Sequence, residues 1–153
     1  MSHTELGIYG FAEPFAFLSN FYPCTVTFEG ETYSTVEHAY QAAKTLDPAQ
    51  RAHIQKLATP GQAKRAGRDV TLRSDWDQIR VAVMRNLLEQ KFAPGSVCAH
   101  KLCLTEDHLI EETNTWGDTF WGVCRGEGLN VLGELLMEIR ADLLSHIEFK
   151  NWS

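Results

Sequence analysis

The fold is organised around one stretch, Ser34-Thr35-Val36-Glu37-His38-Ala39-Tyr40-Gln41-Ala42-Ala43-Lys44, a run of helix-forming residues that opens with two capping residues. Ser34 and Glu37, three positions apart, have the pattern of a capping box, which predicts that a helix begins at Ser34. At about 3.6 residues per turn, the predicted helix has one apolar face. That face consists of Val36, Ala39, Tyr40, Ala43 and Leu46.

The border of this apolar face carries a carboxylate, an amide and an amine. Glu37, Gln41 and Lys44 follow one another at i, i+4 and i+7, so they line up along the helix next to the ring of Tyr40. Many helices carry a similar Glu–Lys stripe on their surface without any further role. Whether these groups form a site therefore depends on the stretches around them.

The composition is that of an ordinary globular protein of 153 residues, and we expect one domain over residues 1–153 with its core at about 6–147. The formal net charge of −6 argues against a surface for general attachment to nucleic acid or to anionic membrane. No apolar run approaches the ~20 residues of a membrane span, and the first ten residues lack the pattern of a signal peptide. We therefore expect a cytoplasmic protein.

The four cysteines, Cys24, Cys98, Cys103 and Cys124, lack CxxC spacing, so reduced thiols are expected. Two of them lie near histidines, but their spacing is poor for a zinc site. We therefore predict no metal and no other cofactor.

Local patterns predict short strands and several capped helices. Strands are expected at residues 6–11 and 108–111, and a hairpin over residues 24–33 should turn at Glu29-Gly30. Gly133, inside the last helix, predicts a close approach of backbone or ligand at that position. Helices should follow the capping residues Asp47, Thr59, Ser74 or Asp75, Ser96 and Asn130.

Two further stretches carry candidate binding groups. The aromatic segment at residues 15–23 must pack against other residues, and within it Asn20 and Tyr22 could present an amide and a phenol to a ligand. The segment Ala63-Lys64-Arg65-Ala66-Gly67-Arg68 concentrates three cations in an acidic protein, which could hold a phosphate. The alternative for these cations is a solvated helix end, where positive charge is favourable.

The stretch Thr113-Asn114-Thr115-Trp116-Gly117-Asp118-Thr119-Phe120-Trp121-Gly122 has neither helical nor strand periodicity. Its aromatic faces could hold a nucleobase or another planar ring by stacking. Asp118 could then bond a sugar hydroxyl or a ring nitrogen. The alternative is a buried aromatic corner without a ligand.

The chain resembles the NADAR/YbiA-like family over nearly its whole length, from the segment at residues 17–23 to Leu135-Leu136-Met137-Glu138-Ile139-Arg140. One departure is that Thr113-Asn114-Thr115-Trp116-Gly117 stands where many members have a shorter acidic segment. The matching motifs between these ends are Val36-Glu37-His38-Ala39-Tyr40-Gln41-Ala42-Ala43-Lys44, Ala63-Lys64-Arg65-Ala66-Gly67-Arg68, Leu109-Ile110-Glu111, Asp118-Thr119-Phe120-Trp121-Gly122 and Asn130-Val131-Leu132-Gly133.

The resemblance implies a mainly helical α+β domain, with a small N-terminal β portion, that hydrolyses N-glycosidic bonds at the anomeric carbon of a ribose. Two substrate classes are associated with such proteins. One is the ribosylamino-pyrimidine phosphates of early riboflavin synthesis, and the other is ADP-ribose attached to guanine in nucleic acid. The implied partners are therefore a riboside or ADP-ribosyl substrate, including ADP-ribosylated DNA or RNA, and no membrane.

Cleavage of a C–N glycosidic bond needs stabilisation of positive charge at the sugar carbon and a proton for the departing nitrogen. We assign acid–base work to Glu37, the role of nucleophile or cationic partner to Lys44, and orientation of the ribose to Asp118. A reader that binds ADP-ribose without cleaving it is the alternative. The predicted substrate-binding residues are Asn20, Tyr22, His38, Tyr40, Gln41, Lys64, Arg68, Glu111, Trp116, Trp121, Gly122 and Asn130.

Overall fold

The computed structural model describes residues 6–152, with side chains described through Ile147. Within this range the chain forms six α-helices, six short strands and a 3-10 helix at Ala16–Leu18. The strands are β1 (Gly7–Tyr9), β2 (Val26–Phe28), β3 (Glu31–Tyr33), β4 (Leu109–Glu111), β5 (Thr113–Asn114) and β6 (Val123–Cys124). The helices are α1 (Val36–Ala43), α2 (Pro48–Gln55), α3 (Pro60–Ala66), α4 (Trp76–Lys91), α5 (Val97–Cys103) and α6 (Val131–Trp152).

These elements form two compact units. One consists of Asn20–Lys91, and the other of the residues up to Ser19 together with those from Phe92 onward. The architecture confirms the predicted mainly helical α+β class. No helix in the described part of the chain has both the length and the apolar character needed to cross a membrane.

Helix α1 is the core of the unit Asn20–Lys91, and all eight of its residues are buried. Helices α2, α3 and α4 pack around it, together with the hairpin β2–β3. Three alanines and Val36 have no exposed surface, and such small side chains let neighbouring helices approach closely. The predicted apolar face is thus correct except at Leu46, which lies beyond the end of the helix and is exposed.

The helix begins one residue later than predicted. Thr35, not Ser34, is the capping residue, and its hydroxyl accepts the backbone N–H of His38 at 3.0 Å. The backbone N–H of Glu37 donates to the carbonyl of Asn20 at 3.1 Å, so the predicted capping box does not form. Both Ser34 and Thr35 are suitable capping residues. The contact from the preceding aromatic segment therefore determines which of the two caps α1.

The predicted hairpin is confirmed. Strands β2 and β3 are antiparallel, with Val26 opposite Tyr33 and Phe28 opposite Glu31. The two turn residues, Glu29 and Gly30, have φ values of 47° and 85°. Positive φ at both positions is the conformation that suits a two-residue hairpin, because its twist matches that of the strands.

The other unit is built on a parallel pair of strands, β1 and β4, in which Ile8 lies opposite Ile110. Helix α6 packs against β4, and α5 packs against α6. A side chain at Gly133 would collide with the carbonyl oxygen of Ile110, which confirms the predicted close approach of backbone at this glycine. Strands β5 and β6 were not predicted, since a pair of two-residue strands has too few positions to show alternation.

Substitution of Leu136 by Ala should lower the free energy of unfolding by about 2–5 kcal/mol, because this side chain of α6 has no exposed surface and its truncation leaves a cavity. Urea denaturation of the purified variant measures the change. Leu129→Ala is the matched control, since Leu129 is 66% exposed and its loss should cost little. Equal stability of both variants would contradict the assignment of Leu136 to the core.

Candidate active site

The carboxylate of Glu37 is buried inside the unit Asn20–Lys91, with only 7% of the residue exposed. It accepts a hydrogen bond of 2.8 Å from the side-chain amide of Gln41, one turn further along α1. Gln41 is itself buried. A solvated surface stripe is therefore excluded for these two residues, and the carboxylate is held in a fixed orientation.

Lys44 caps the C-terminal end of α1 and is half-buried. Its Nζ lies 5.7 Å from the centre of the Tyr40 ring. That ring packs in turn against Trp76 of α4, with ring centres 5.1 Å apart and planes inclined by 56°. The amine is thus confined next to two aromatic side chains, and the face of a tyrosine favours the protonated form of an amine above it.

The pKa of the Lys44 amine is lowered, chiefly because burial removes water from the ammonium. Glu37 opposes this shift, since a carboxylate stabilises the nearby positive charge. Three neighbouring cations, Arg68, Lys64 and Arg80, lower the pKa further by repulsion. The neutral amine is therefore more accessible at Lys44 than at a solvated lysine, and Glu37 is close enough to act on it electrostatically.

The same three cations come from two helices. Lys64 belongs to α3, Arg68 follows the end of that helix, and Arg80 lies on α4 one turn after Trp76. Arg68 is exposed, whereas Lys64 and Arg80 are half-buried. Sequence reasoning missed this third cation near the predicted pair, because the arrival of Arg80 from α4 has no local signal in the sequence.

Gly67 closes the site on the side of α3. A Cβ at this position would collide with the side-chain oxygen of Gln41, so no larger residue fits while that amide keeps its position. The backbone of Gly67 is helical, with φ of −61°, so it is close approach rather than conformational freedom that requires glycine here.

His38 serves as a link between elements of the same unit. Its side chain is completely buried, with Nδ1 2.7 Å from the hydroxyl of Thr35 and Nε2 2.9 Å from the carbonyl of Leu57. A carbonyl only accepts, so Nε2 carries the proton and donates to Leu57. Both ring nitrogens are engaged by the protein, and this geometry offers neither of them to a substrate.

Asn20 and Tyr22, two predicted binding residues, lie in the segment that precedes β2. The backbone carbonyl of Asn20 holds the start of α1, and its side-chain Nδ2 lies 3.6 Å from the sulfur of Met84. The Tyr22 ring lies beneath Lys91, whose Nζ is 5.5 Å from the ring centre. Lys91 is only 1% exposed. Its position at the end of an amphipathic helix did not predict that it would be buried.

In the other unit, Asp118 organises the aromatic stretch. Its Oδ1 accepts the backbone N–H groups of Phe120 and Trp121 at 3.1 and 2.9 Å. The side chain of Asn114 holds the backbone of Asp118 from both sides, accepting its N–H and donating to its carbonyl. One carboxylate oxygen of Asp118 is thus committed to the loop, so the proposed contact with ribose falls to the other oxygen.

The loop also caps α6. Backbone carbonyls of Phe120 and Trp121 accept the N–H groups of Val131 and Leu132 at 3.1 and 3.0 Å. The rings of Phe120 and Trp121 pack edge to face with centres 4.9 Å apart, and Trp121 is half-buried. Trp116 is 59% exposed. The aromatic stretch therefore has the structural role of a corner, and its exposed surface lies mainly at Trp116.

Three further predicted residues of this unit have structural partners. Asn130 precedes α6, and its amide accepts the N–H of Glu112 and donates to the carbonyl of Ile110, so it joins α6 to β4 and does not cap the helix. Glu111 accepts the hydroxyl of Thr113. A side chain at Gly122 would collide with the carbonyl of Glu112.

One group of possible metal ligands occurs within the described side chains. The ligand atoms of Glu106, Asp107 and His108 lie within 4.8 Å of one another, and both acidic residues are exposed. Nδ1 of His108 is 2.7 Å from the carbonyl of Thr105. Exposed acidic groups often cluster without an ion, and nothing else in this group indicates a metal.

Comparison with known proteins places these residues in a family. A model of the NADAR domain matches residues 9–144. The chain is 35% identical to N-glycosidase YbiA of Escherichia coli over 147 residues, which cover 94% of this chain and 91% of that protein. The NMR structure of E. coli YbiA superposes with a TM-score of 0.79 at 33% identity, covering 92% of this chain and 85% of that one.

A riboflavin biosynthesis protein of Vibrio vulnificus is 37% identical over 140 residues. This match covers 90% of the present chain but 38% of the Vibrio protein, so the chain spans well under half of that relative. Homology to proteins named N-glycosidases along nearly the whole chain confirms the predicted class of enzyme. The chain belongs to the NADAR family.

Proposed function

We propose that the protein hydrolyses the bond between C1′ of a ribose and a heterocycle nitrogen, and that its substrate is a ribosylamino-pyrimidine phosphate of the kind made in riboflavin synthesis. The observation that carries this proposal is the electrostatic pair formed by the buried Glu37 carboxylate, in the first turn of α1, and the Lys44 amine at the C-terminal end of the same helix. The names of the Vibrio relative and of a maize relative, both riboflavin biosynthesis proteins, support this substrate class.

In the proposed reaction the neutral Lys44 amine attacks C1′, and its lone pair forms the new C–N bond. The bond from C1′ to the heterocycle breaks, and its electron pair goes to the departing nitrogen, which takes a proton from Glu37. The attached nitrogen of Lys44 then returns a proton to the Glu37 carboxylate. Glu37 thus ends this step in the protonation state in which it began.

The intermediate opens when the Lys44 nitrogen forms a double bond to C1′ and the ring oxygen leaves with its electron pair, taking the proton that the Lys44 nitrogen gives up. Water adds to the resulting imine and expels the Lys44 amine, which releases the ribose phosphate. Glu37 and Lys44 share one proton at the start, because an ionised Glu37 beside an ammonium would oppose attack. The lowered pKa of Lys44 favours the arrangement in which the amine is neutral.

The competing mechanism keeps Lys44 as an ammonium that binds the sugar or the phosphate, while Glu37 activates water directly. The Tyr40 ring near Lys44 Nζ supports this alternative, since it favours the charged amine. In both mechanisms Lys64, Arg68 and Arg80 hold the phosphate of the substrate, because three neighbouring cations form a strong local anion site in an acidic protein.

Removal of ADP-ribose from guanine in nucleic acid is the second candidate function. It is favoured by the number of cations around Lys44, since a diphosphate engages three cations more fully than a monophosphate does. Exposed Trp116 provides a flat surface on which a base could stack. A reader of ADP-ribose that lacks activity would use the same cations but would not need Glu37.

Purified protein should release ribose phosphate from a ribosylamino-pyrimidine phosphate, and Glu37→Gln should lower kcat by about 10²–10⁴-fold because the general acid is lost. The amide can still accept the bond from Gln41, so the variant should fold. Glu89→Gln, on the exposed side of α4, is the control. ADP-ribosylated guanine DNA assayed in parallel distinguishes the second candidate, and binding without turnover of either substrate supports the reader.

Lys44→Ala should abolish the covalent intermediate. Borohydride added during turnover should leave a stable adduct of ribosyl mass on Lys44 of the wild type, detected by peptide mass spectrometry, and none in the variant. Lys56→Ala, at an exposed lysine beyond α2, should keep the adduct. A Lys44→Ala variant with near-normal kcat and only a raised KM would leave Glu37 with water as the mechanism.

As the pH is raised, kcat/KM should increase at a pH below the ordinary lysine pKa of about 10.4. The reason is that the reactive amine is neutral above the pKa of Lys44, which is lowered. We call this increase the rising limb of the pH profile. Arg68→Met removes a cation that lowers this pKa, so the pKa should rise and the limb should move to higher pH. Arg65→Met, at an exposed residue of the same helix, is the matched control and should leave the limb in place. No movement with Arg68→Met would argue that Lys44 does not set the limb.

A further inference from the structure

Two buried amide oxygens, on two residues that are hydrogen-bonded to Glu37, have no hydrogen-bond donor among the residues that the structure describes. They are Oδ1 of Asn20 and Oε1 of Gln41. Gln41 as a whole is only 5% exposed, and the oxygen of Asn20 is itself buried although its residue is partly exposed. An amide oxygen buried without a donor has lost the hydrogen bond that it makes to water in the unfolded chain, so each calls for an explanation.

Gln41 is bonded to Glu37 through its side-chain amide, and Asn20 through its backbone carbonyl. The Nδ2 of Asn20 faces the sulfur of Met84, while its backbone carbonyl accepts the N–H of Glu37. The Nε2 of Gln41 donates to the Glu37 carboxylate. Exchanging O and N in Gln41 would set its oxygen against the carboxylate oxygen, two acceptors facing each other, so the carboxylate fixes the assignment.

The two residues bonded to Glu37 therefore carry a surplus of acceptors. Besides the two amide oxygens, the carboxylate of Glu37 itself accepts hydrogen bonds when ionised. The glycine at position 67 leaves room for the amide of Gln41, because a Cβ at Gly67 would collide with the Gln41 side-chain oxygen. A ligand that suits this arrangement must bring hydrogen-bond donors to the carboxylate and the two amide oxygens.

We infer that Asn20 and Gln41 accept hydrogen bonds from the 2′- and 3′-hydroxyl groups of the sugar, and that they make the enzyme selective for ribose over 2′-deoxyribose. This inference rests on the proposed function, which brings C1′ of the sugar to Glu37. The 2′-hydroxyl is bonded to the carbon next to C1′, so it is the sugar donor nearest the reacting bond. Amino groups of the heterocycle are the other possible donors, and they are unchanged in a 2′-deoxy analogue.

Selectivity follows from the cost of an unpaired group. A substrate without the 2′-hydroxyl would leave an amide oxygen buried without a donor, whereas the riboside satisfies it. Sites that bond a substrate hydroxyl reject the analogue lacking it by factors that reach about 10⁴–10⁵. We expect the wild type to prefer the riboside over its 2′-deoxy analogue by at least about 10² in kcat/KM.

The first test compares kcat/KM for the ribosylamino-pyrimidine phosphate and its 2′-deoxyribosyl analogue in the wild type, Gln41→Met and Asn20→Leu. Both variants keep the size of the side chain and remove the amide oxygen. If the amides bind the hydroxyls, the ratio of the two values should fall at least tenfold in either variant. A purely structural role would lower both values alike and leave the ratio unchanged. Gln78→Met, at an exposed residue of α4, is the control and should keep the wild-type ratio.

The second test does not depend on catalysis. Binding of ribose 5-phosphate and of 2-deoxyribose 5-phosphate to the wild type, followed by NMR titration, should differ at least tenfold in Kd, and Gln41→Met should reduce the difference. Equal binding of the two sugars, or binding of neither, would overturn the inference. Failure of the proposed function is a separate result, since selective sugar binding without turnover of any riboside would support this inference and reject the hydrolase.

Discussion

The structure of the unit Asn20–Lys91 depends on the burial of one helix, α1. Three helices and a hairpin enclose α1, so that polar groups on its border are withdrawn from water along with its apolar face. Withdrawal from water favours the neutral form of an amine and strengthens the interaction between neighbouring charges. Glu37 therefore acts on the charge of Lys44 through a region from which water is largely withdrawn, and it opposes the lowering of the lysine pKa.

Opposing forces act on the amine at the end of this helix. Desolvation and three cations favour the neutral form of Lys44, whereas Glu37 and the face of Tyr40 favour the ammonium. These influences act in opposite directions on the Lys44 nitrogen. An anionic phosphate that binds among the cations would partly cancel their repulsion of the ammonium, and would therefore favour the protonated form of Lys44. In the mechanism proposed above, substrate binding would thus change the position of the proton shared by Glu37 and Lys44.

The sequence was sufficient where local chemistry decides the structure, as in the helix start capped by Thr59 and the turn at Glu29-Gly30. It could not choose between Ser34 and Thr35, because both suit a helix start and a contact from Asn20 makes the choice. The sequence predicted that Glu37 lies at the border of an apolar face, but it did not predict that Glu37 is buried. Helical periodicity does not reveal that neighbouring elements cover every side of α1. The arrival of Arg80 from another helix is likewise a tertiary effect without a local signal.

The backbone bonds between the aromatic loop and α6 limit how this part of the protein can move. Carbonyls from Thr119 to Gly122 accept the N–H groups of Leu129, Asn130, Val131 and Leu132, which include the first donors of the helix. A swing of the loop would break four bonds, each contributing about 0.5–1.5 kcal/mol, and would leave the helix N-terminus unsatisfied. The loop is therefore fixed to the start of α6, so that a displacement of one requires a displacement of the other.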